Sequence, residues 1–227
     1  MRVCVFVCNV TPLQDSAAFV RVLGLVPPWR QSKALRVRPL PDKARSLGAS
    51  WLVGQALREC GTGWEAVHCA ANGKPCLDGG SISWSHSGDV AAVALCLPEA
   101  PLPAAPSLGL DVERQERRVL PQVVRRVATE EERALLESLA WPARRDAFLT
   151  LWTRKESCLK ATGQGLSVDL TRLSVMPLEK AEARCRWEER EWLLHTHALP
   201  GHCLSLCVQD VPGLRLPTAP QWRGLPL

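Results

Sequence analysis

Two carboxylates lie two residues apart in the segment GLDVE, which begins at Gly109. If this segment is a strand, Asp111 and Glu113 project to the same face, because alternate side chains of a strand point the same way. Leu110 and Val112 would then face the core. Neighbouring carboxylates repel each other, and a divalent cation with oxygen ligands, such as Mg²⁺, offsets that repulsion. An exposed acidic strand face is the alternative interpretation.

A second group of charged residues lies in the segment WTRKESCLK, residues 152–160, which is followed by glycines. This pattern predicts a helix that ends at a glycine cap. Trp152, Glu156 and Lys160 are four residues apart and share one helix face. Glu156 and Lys160 could instead form only a helix-stabilising pair worth about 0.3–0.5 kcal/mol. That interpretation leaves the acidic pair of the earlier strand unexplained.

Two polar segments in the first part of the chain could contact a phosphate. The segment SWSHSG, residues 83–88, is predicted to be a turn with hydroxyls, an imidazole and a glycine that permits close backbone approach. Upstream, the turn Asn72-Gly73-Lys74-Pro75 presents a lysine. Neither segment alone is specific. The sequence contains no glycine-flanked serine elbow of an esterase and no Walker-type phosphate loop.

Predicted strands and helices must position these segments. The apolar pattern predicts strands at 3–7, 89–97, 108–113, 172–175, 192–196 and 203–208. It predicts helices at 44–57, 122–127, 130–139 and 145–161. Because the order lacks the regular strand-helix-strand alternation of a doubly wound sheet, we expect an α+β fold.

Four prolines between residues 98 and 106 predict an extended connection between two parts of the chain. We therefore divide the sequence into an N-terminal half, 1–100, a Pro-rich linker, 101–107, and a C-terminal half, 108–227. The tail from Val211 is also rich in proline, and we expect it to be irregular.

Composition excludes several classes of protein. Lys and Arg number 28 against 23 Asp and Glu, which suits an acidic partner or a phosphorylated ligand but is too small an excess to imply nucleic acid. No apolar run approaches the ~20 residues that cross a bilayer, and the N-terminus lacks the long apolar region of a signal peptide, so we expect cytoplasmic localisation. The ten cysteines are scattered without a Cys-x-x-Cys pair, and we interpret them as buried reduced thiols.

Taken together and in this order, the segments resemble the phosphopantetheinyl transferases, specifically the two-halved surfactin-synthetase-activator type. The signatures are GLDVE from Gly109 and WTRKESCLK from Trp152. Three further segments agree in order: GKP from Gly73, SHSG from Ser85 and GQGLSV from Gly163. The resemblance covers most of the chain. It implies two similar α+β halves packed as a pseudo-dimer, with coenzyme A held in the cleft between them.

The resemblance also implies the chemistry and the ligands. The phosphopantetheine arm of coenzyme A is transferred to a serine of an apo acyl or peptidyl carrier protein, or carrier domain, and 3′,5′-ADP is released. Asp111, Glu113 and Glu156 would ligate Mg²⁺, or Mn²⁺ in its place, beside the pyrophosphate of coenzyme A. Lys160, with Asp111 and Lys155, is expected at the same pyrophosphate. We expect a monomer that binds neither nucleic acid nor a membrane.

By the same resemblance, a glutamate between the two signatures takes the proton of the acceptor serine. We assign this role to Glu131, with Glu130 as the nearest alternative. Thr129 and Glu132 match a capping box, so both candidates occupy a first helical turn. The helix dipole also favours carboxylates in a first helical turn, so these glutamates could be there for helix stability alone.

At the adenosine end, the resemblance places Ser85 and His86 near the 3′-phosphate, and Lys74 with Pro75 near the adenine. The further basic positions are assigned to Arg30, Lys33 and Arg45. A doubly charged phosphate is expected to attract such a cluster.

Two rival functions use the same residues. One is a non-catalytic module that binds coenzyme A or a carrier protein, against which the intact acidic ligands argue. The other is a magnesium-dependent phosphohydrolase, which would use water as the nucleophile. Incubation with coenzyme A alone and with an apo carrier separates all three functions.

Overall fold

The structure is a computed structural model that describes residues 1–97, 105–165 and 168–227. The chain forms two compact units, one built from Met1–Ala105 with Arg215–Leu227 and the other from Pro106–Leu214. Each unit contains a four-stranded sheet with helices packed on it, so the predicted α+β class is confirmed. Most of the predicted linker, 101–107, lies outside the described residues.

The first unit contains six strands, four of which form its main sheet. The strands of the unit are β1 (Arg2–Asn9), β2 (Val67–Cys69), β3 (Pro75–Leu77), β4 (Ser81–Ser87), β5 (Val90–Leu97) and β10 (Gln221–Trp222). Its helices are α1 (Ser16–Leu23), α2 (Pro28–Arg36) and α3 (Leu40–Glu59). The sheet order is β10-β1-β5-β4, and β2 pairs with β3 in a separate hairpin. Helix α3 packs against β5, which is buried over nearly its whole length.

The C-terminal tail belongs to the first unit, so the predicted C-terminal half, 108–227, is wrong from Arg215 onward. Strand β10 pairs in parallel with β1, and the amide of Arg223 donates to the carbonyl of Val7 at 2.8 Å. The Arg223 guanidinium also binds the carboxylate of Glu59 on α3. A two-residue strand carries no apolar periodicity, which is why the pattern indicated only an irregular tail.

The second unit places helices on an antiparallel sheet. Its strands are β6 (Leu108–Arg114), β7 (Glu182–Trp187), β8 (Arg190–Leu199) and β9 (His202–Gln209), in the order β6-β9-β8-β7. Its helices are α4 (Pro121–Val127), α5 (Glu130–Ser138) and α6 (Ala143–Thr162). Helix α6 packs on β6 and β9, and α5 packs on α6. The helices predicted at 122–127, 130–139 and 145–161 are thus confirmed within two residues at each end.

Two local predictions are wrong. Residues 172–175 do not form a strand: a 3₁₀ turn ends at Arg172, and side chains take the backbone hydrogen bonds that a strand would use. The carbonyl of Val175 accepts from Arg154 at 2.9 Å, and its amide donates to Glu132 at 2.9 Å. Residues 83–87, predicted as a turn, belong to β4, and the turn lies at 88–89.

The predicted burial of the cysteines holds for six of the ten. All ten cysteines carry free thiols; Cys69 is exposed, Cys4, Cys60 and Cys76 are half-buried, and the others are buried. Among the helices that the structure describes, none combines the length and apolar character needed to span a membrane.

A buried histidine pair makes the second unit sensitive to acid. His195 and His197 are alternate residues of β8, their rings lie 4.2 Å apart, and each is only 8% exposed. Within the part of the chain that the structure describes, Nδ1 of His195 and Nε2 of His197 make no hydrogen bond. Burial lowers the pKa of both rings, and burial together with the neighbouring His195 lowers the pKa of His197 to about 4.

We expect folding stability to fall as the pH drops from about 6.5 toward 4. Over that range His197 binds a proton in the unfolded chain but stays neutral in the folded protein. The free energy of unfolding therefore has its full value above the unfolded pKa of histidine and declines below it. Between pH 7.5 and 4.5 the free energy of unfolding, measured with urea, should fall in both proteins. The decrease should be smaller in the variant His197→Leu than in the wild type by on the order of 1–2 kcal/mol. The exposed His68→Gln serves as control, and an identical pH slope for His197→Leu and wild type would contradict this account.

Candidate active site

The GLDVE segment lies on β6, directly against the WTRKESCLK segment on α6. The contact is closest at Gly109. A Cβ placed there would overlap the carbonyl oxygen of Ser157 and the amide of Ala161, and would lie 3.0 Å from the carbonyl carbon of Lys160. A glycine is therefore required at this position, because the helix backbone occupies the space of any side chain.

Gly109→Ala tests this close approach. Because the obstructing atoms are helix backbone, α6 must move away from β6, and we expect a loss of roughly 1–3 kcal/mol or more in the free energy of unfolding. Any activity that needs residues of both elements should fall as well. The matched substitution at an open glycine, Gly224→Ala, should change stability by less than about 0.5 kcal/mol. Equal unfolding curves for the two variants would contradict the packing argument.

The close packing brings Asp111 to Lys160. Asp111 is 5% exposed, and its Oδ1 accepts from Nζ of Lys160 at 2.7 Å. Lys160 lies in the last turn of α6, which ends at Gly163 in a left-handed conformation with φ 77°. The glycine cap predicted from the sequence is therefore confirmed. In the GQGLSV segment, Leu166 and Ser167 lie outside the described residues.

Glu113 lies in a second small cluster on the same face of β6. Its Oε1 accepts from Nε1 of Trp152 at 3.2 Å and from the guanidinium of Arg117. The Arg117 guanidinium also stacks over the Trp152 ring, 4.3 Å from its centroid. Trp152 thus holds Glu113 by a hydrogen bond and supports its counter-ion through a cation–π contact.

Glu156 is electrostatically coupled to both carboxylates of β6. Burial raises its pKa to about 7, and the negative charges of Asp111 and Glu113 add to this effect, while Lys160 and Arg117 oppose it. The three carboxylates are therefore close enough to repel one another. Their summed charge favours a bound cation, which would lower the pKa of Glu156.

In the arrangement seen here, Asp111 is paired with Lys160 and Glu113 with Arg117. Within residues 1–97, 105–165 and 168–227, no group of three or more His, Cys, Asp or Glu side chains is arranged to hold a metal ion. The donor set nevertheless suits Mg²⁺, since it consists of hard carboxylate oxygens whose repulsion a divalent cation relieves. To ligate one ion, Glu113 would have to leave Arg117.

Lys155 lies inside the second unit, where it cannot reach a pyrophosphate. It is 1% exposed, and its Nζ donates to Glu132 Oε2 at 2.5 Å and to the carbonyls of Val127 and Leu170 at 2.6 and 3.0 Å. All three protons are therefore used. Burial lowers the pKa of Lys155, and Glu132 opposes that shift. The sequence interpretation of Lys155 as a second pyrophosphate contact does not fit this position.

The candidate bases lie at the start of α5. Glu130 and Glu131 are both exposed, and Thr129 with Glu132 forms the predicted capping box. Glu132 itself is 0% exposed, and through Lys155 it ties the first turn of α5 to α6. The capping-box pattern identified Glu132 as a helix cap. The burial of Glu132 and its link to α6 could not be predicted, because the sequence does not show that Lys155 is its ion-pair partner.

In the first unit, three of the predicted residues lie on neighbouring elements. Ser85 and His86 are on β4, where Ser85 is buried and His86 exposed. Arg45 on α3 donates to the carbonyl of Gly88 at 3.1 Å and pairs with Asp42. The structure therefore brings Arg45 to the turn that follows His86, as a shared anion site requires.

Arg30 and Lys33 occupy contrasting positions on α2. Arg30 is 4% exposed, donates to Ser50 Oγ at 2.8 Å and lies within 6 Å of three tryptophan ring centroids, those of Trp29, Trp64 and Trp84. This burial does not fit the predicted contact of Arg30 with a phosphate. Lys33 is exposed on the same helix.

Lys74 and Pro75 lie on the β2–β3 hairpin. The turn is shaped by Gly73 with φ 81° and by Asn72, whose side chain accepts from the Lys74 amide at 3.1 Å. Pro75 begins β3 opposite Cys69. The turn predicted from the sequence is therefore present, with the lysine at its end.

Comparison with known proteins finds a family that part of the chain resembles. Residues 107–209, which span β6 to β9 and include both signature segments, match the sequence model of the 4′-phosphopantetheinyl transferase superfamily. Over this segment the chain is similar to that superfamily of transferase enzymes, and the resemblance inferred from the sequence is confirmed.

Two further similarities concern individual proteins. The chain is 27% identical over 219 residues to the 4′-phosphopantetheinyl transferase psf-1 of Bacillus pumilus, and the match covers 90% of this chain and 89% of that protein. A holo-[acyl-carrier-protein] synthase of Thermotoga maritima is 20% identical with a TM-score of 0.32. That match covers 46% of this chain and 62% of the other, less than two thirds of its length.

Proposed function

We propose that this protein transfers the 4′-phosphopantetheine group of coenzyme A to a serine of an apo carrier protein and releases 3′,5′-ADP. The single observation that carries the proposal is the packing of β6 on α6, which brings Asp111, Glu113 and Glu156 into electrostatic contact with Lys160 beside them. Carboxylates can bind a metal ion and a lysine can bind negative charge, so this cluster suits a diphosphate together with a metal ion. The similarity of the chain to phosphopantetheinyl transferases supports the same reaction.

We assign the cation ligands to Asp111, Glu113 and Glu156. A bound Mg²⁺, or Mn²⁺, supplies charge neutralisation at the diphosphate of coenzyme A. Glu156 must lose its proton to act as a ligand, and its pKa of about 7 places that loss near neutral pH. The Trp152 ring offers Arg117 a contact that does not depend on Glu113.

Lys160 and Glu131 are proposed to act on the two reacting groups. Lys160 is about one-third exposed on the last turn of α6, and its ammonium can stabilise negative charge on the diphosphate when a cation takes Asp111. Glu131, exposed on the first turn of α5, is the proposed base for the acceptor serine, and Glu130 beside it is the alternative.

The adenosine end of coenzyme A is assigned to the first unit. We propose that His86, Ser85 and Arg45 bind the 3′-phosphate and that Lys74 and Pro75 contact the adenine. The support is the Arg45 hydrogen bond to Gly88, which places a guanidinium at the turn after His86. Lys33 is a further exposed cation of this unit, whereas Arg30 is removed from the set by its burial.

The experiment combines purified protein, coenzyme A, Mg²⁺ and a panel of apo acyl and peptidyl carrier proteins. A transferase yields holo carrier, seen as the added mass of one phosphopantetheine on the intact carrier, together with an equal amount of 3′,5′-ADP. A phosphohydrolase releases 3′,5′-ADP from coenzyme A without any carrier. A binding module leaves both substrates unchanged, and either of the last two results refutes the proposal.

A further inference from the structure

Arg117 contacts two residues of the candidate active site, although it lies in neither signature segment. It belongs to the turn that follows β6, where its amide donates to the carbonyl of Arg114 at 3.2 Å. Its guanidinium pairs with Glu113, four residues earlier in the chain, and stacks over the Trp152 ring. The turn therefore returns a positive charge to one of the three proposed cation ligands.

The charges of the candidate site are nearly balanced by its own side chains. Asp111, Glu113 and Glu156 supply three negative charges when ionised. Lys160 and Arg117 act on the same group of carboxylates and supply two positive charges. A divalent cation added to this set would make the site net positive, which repels the cation. Withdrawal of one of the two basic side chains restores the balance.

Arg117 is better placed to withdraw than Lys160. The side chain of its partner Glu113 is 17% exposed, whereas that of Asp111, the partner of Lys160, is 7% exposed. Because solvent weakens an exposed ion pair, the pair of Arg117 costs less to break. The Trp152 ring also offers Arg117 a contact that does not depend on Glu113.

We propose that Arg117 is an intramolecular competitor of the divalent cation: it neutralises Glu113 until the cation binds, and it leaves when this carboxylate becomes a ligand. The inference rests on the proposed function, which assigns the cation to Asp111, Glu113 and Glu156. It adds a residue that touches neither coenzyme A nor the acceptor but sets how tightly the cation is held.

The test measures the affinity of the purified protein for Mn²⁺ by electron paramagnetic resonance, with neither coenzyme A nor carrier present. Arg117→Gln should tighten Mn²⁺ binding by about 5-fold, because it removes the positive charge that competes for Glu113. Arg117→Lys keeps that charge and should stay within about 2-fold of wild type. The matched control is Arg118→Gln, the same charge change at the exposed next residue, which should also stay within about 2-fold.

A double-mutant cycle shows whether Arg117 acts through Glu113. In Glu113→Gln an amide replaces the carboxylate that Arg117 holds, so adding Arg117→Gln should change Mn²⁺ affinity by less than about 2-fold. Tighter binding that is specific to Arg117→Gln and depends on Glu113 supports the inference. An equal gain in both backgrounds, an equal gain in Arg118→Gln, or wild-type affinity in folded Arg117→Gln overturns it. So does an absence of Mn²⁺ binding by the wild type.

Transfer kinetics separate this inference from the proposed function. At saturating coenzyme A and carrier, the Mg²⁺ concentration that gives half-maximal transfer should fall in Arg117→Gln by about the same factor as the Mn²⁺ dissociation constant. Transfer by a protein whose Mn²⁺ affinity is unchanged in Arg117→Gln would refute the competition and leave the reaction standing. Tighter Mn²⁺ binding in Arg117→Gln, without transfer by the wild type to any carrier, would refute the reaction and leave the competition standing.

Discussion

Asp111→Asn and Glu156→Gln are each expected to lower kcat for phosphopantetheine transfer by at least about 100-fold. Both amides preserve side-chain volume but remove a charged oxygen ligand from the cluster in which burial and mutual repulsion already raise the pKa of Glu156 to about 7. The transfer rate is measured by intact mass of the carrier at saturating coenzyme A and Mg²⁺.

Folding must be shown to survive these substitutions. Asp111→Asn weakens the pair with Lys160, which is about one-third exposed, and we expect at most about 1 kcal/mol of destabilisation from its loss. Glu116→Gln, an exposed acid outside the cluster, is the matched control and should retain wild-type kcat. Full activity of Asp111→Asn or Glu156→Gln in folded protein would refute the assignment of these carboxylates to a metal ion.

Lys155→Met is expected to cost about 3–5 kcal/mol of the free energy of unfolding. The substitution leaves the carboxylate of Glu132 buried at 0% exposure without its ammonium partner, although Glu132 still accepts from the amides of Thr129 and Val175. Urea unfolding followed by circular dichroism measures the change. Lys180→Met, which removes an exposed ammonium, should lie within about 0.5 kcal/mol of wild type.

A second substitution distinguishes a buried unpaired charge from a simple loss of packing. Lys155→Met with Glu132→Gln removes the charge but keeps an oxygen that can accept from the Val175 amide. This double variant should be more stable than Lys155→Met alone by roughly 1–2 kcal/mol. If the double variant is less stable than the single one, the ion pair is not the source of the loss.

The two long helices could be predicted from the sequence. Helix α3 and helix α6 were predicted within a few residues because apolar residues four apart recur along each of them. Strand β6 was predicted with both carboxylates on one face, and α6 does contact that face through Lys160 and Trp152. These elements could be predicted because their patterns depend only on residues close to one another in the sequence.

Long-range pairing accounts for what the sequence missed. Strand β10 exists because β1 offers it backbone partners, and the stretch around Val175 is held by Arg154 and Glu132 rather than by a neighbouring strand. Arg154 and Lys155 follow one another in the signature segment, yet both are buried, because distant carbonyls and Glu132 satisfy them. No spacing rule distinguishes such cations from Lys160, which is about one-third exposed.

The central claim is that Asp111, Glu113 and Glu156 hold one divalent ion together. Electron paramagnetic resonance of Mn²⁺, titrated into the protein in the presence of coenzyme A, measures that ion directly. We expect one bound Mn²⁺ per chain, weakened by at least about 10-fold in each of Asp111→Asn, Glu113→Gln and Glu156→Gln. Binding of Mn²⁺ by all three folded variants with wild-type affinity would contradict the account.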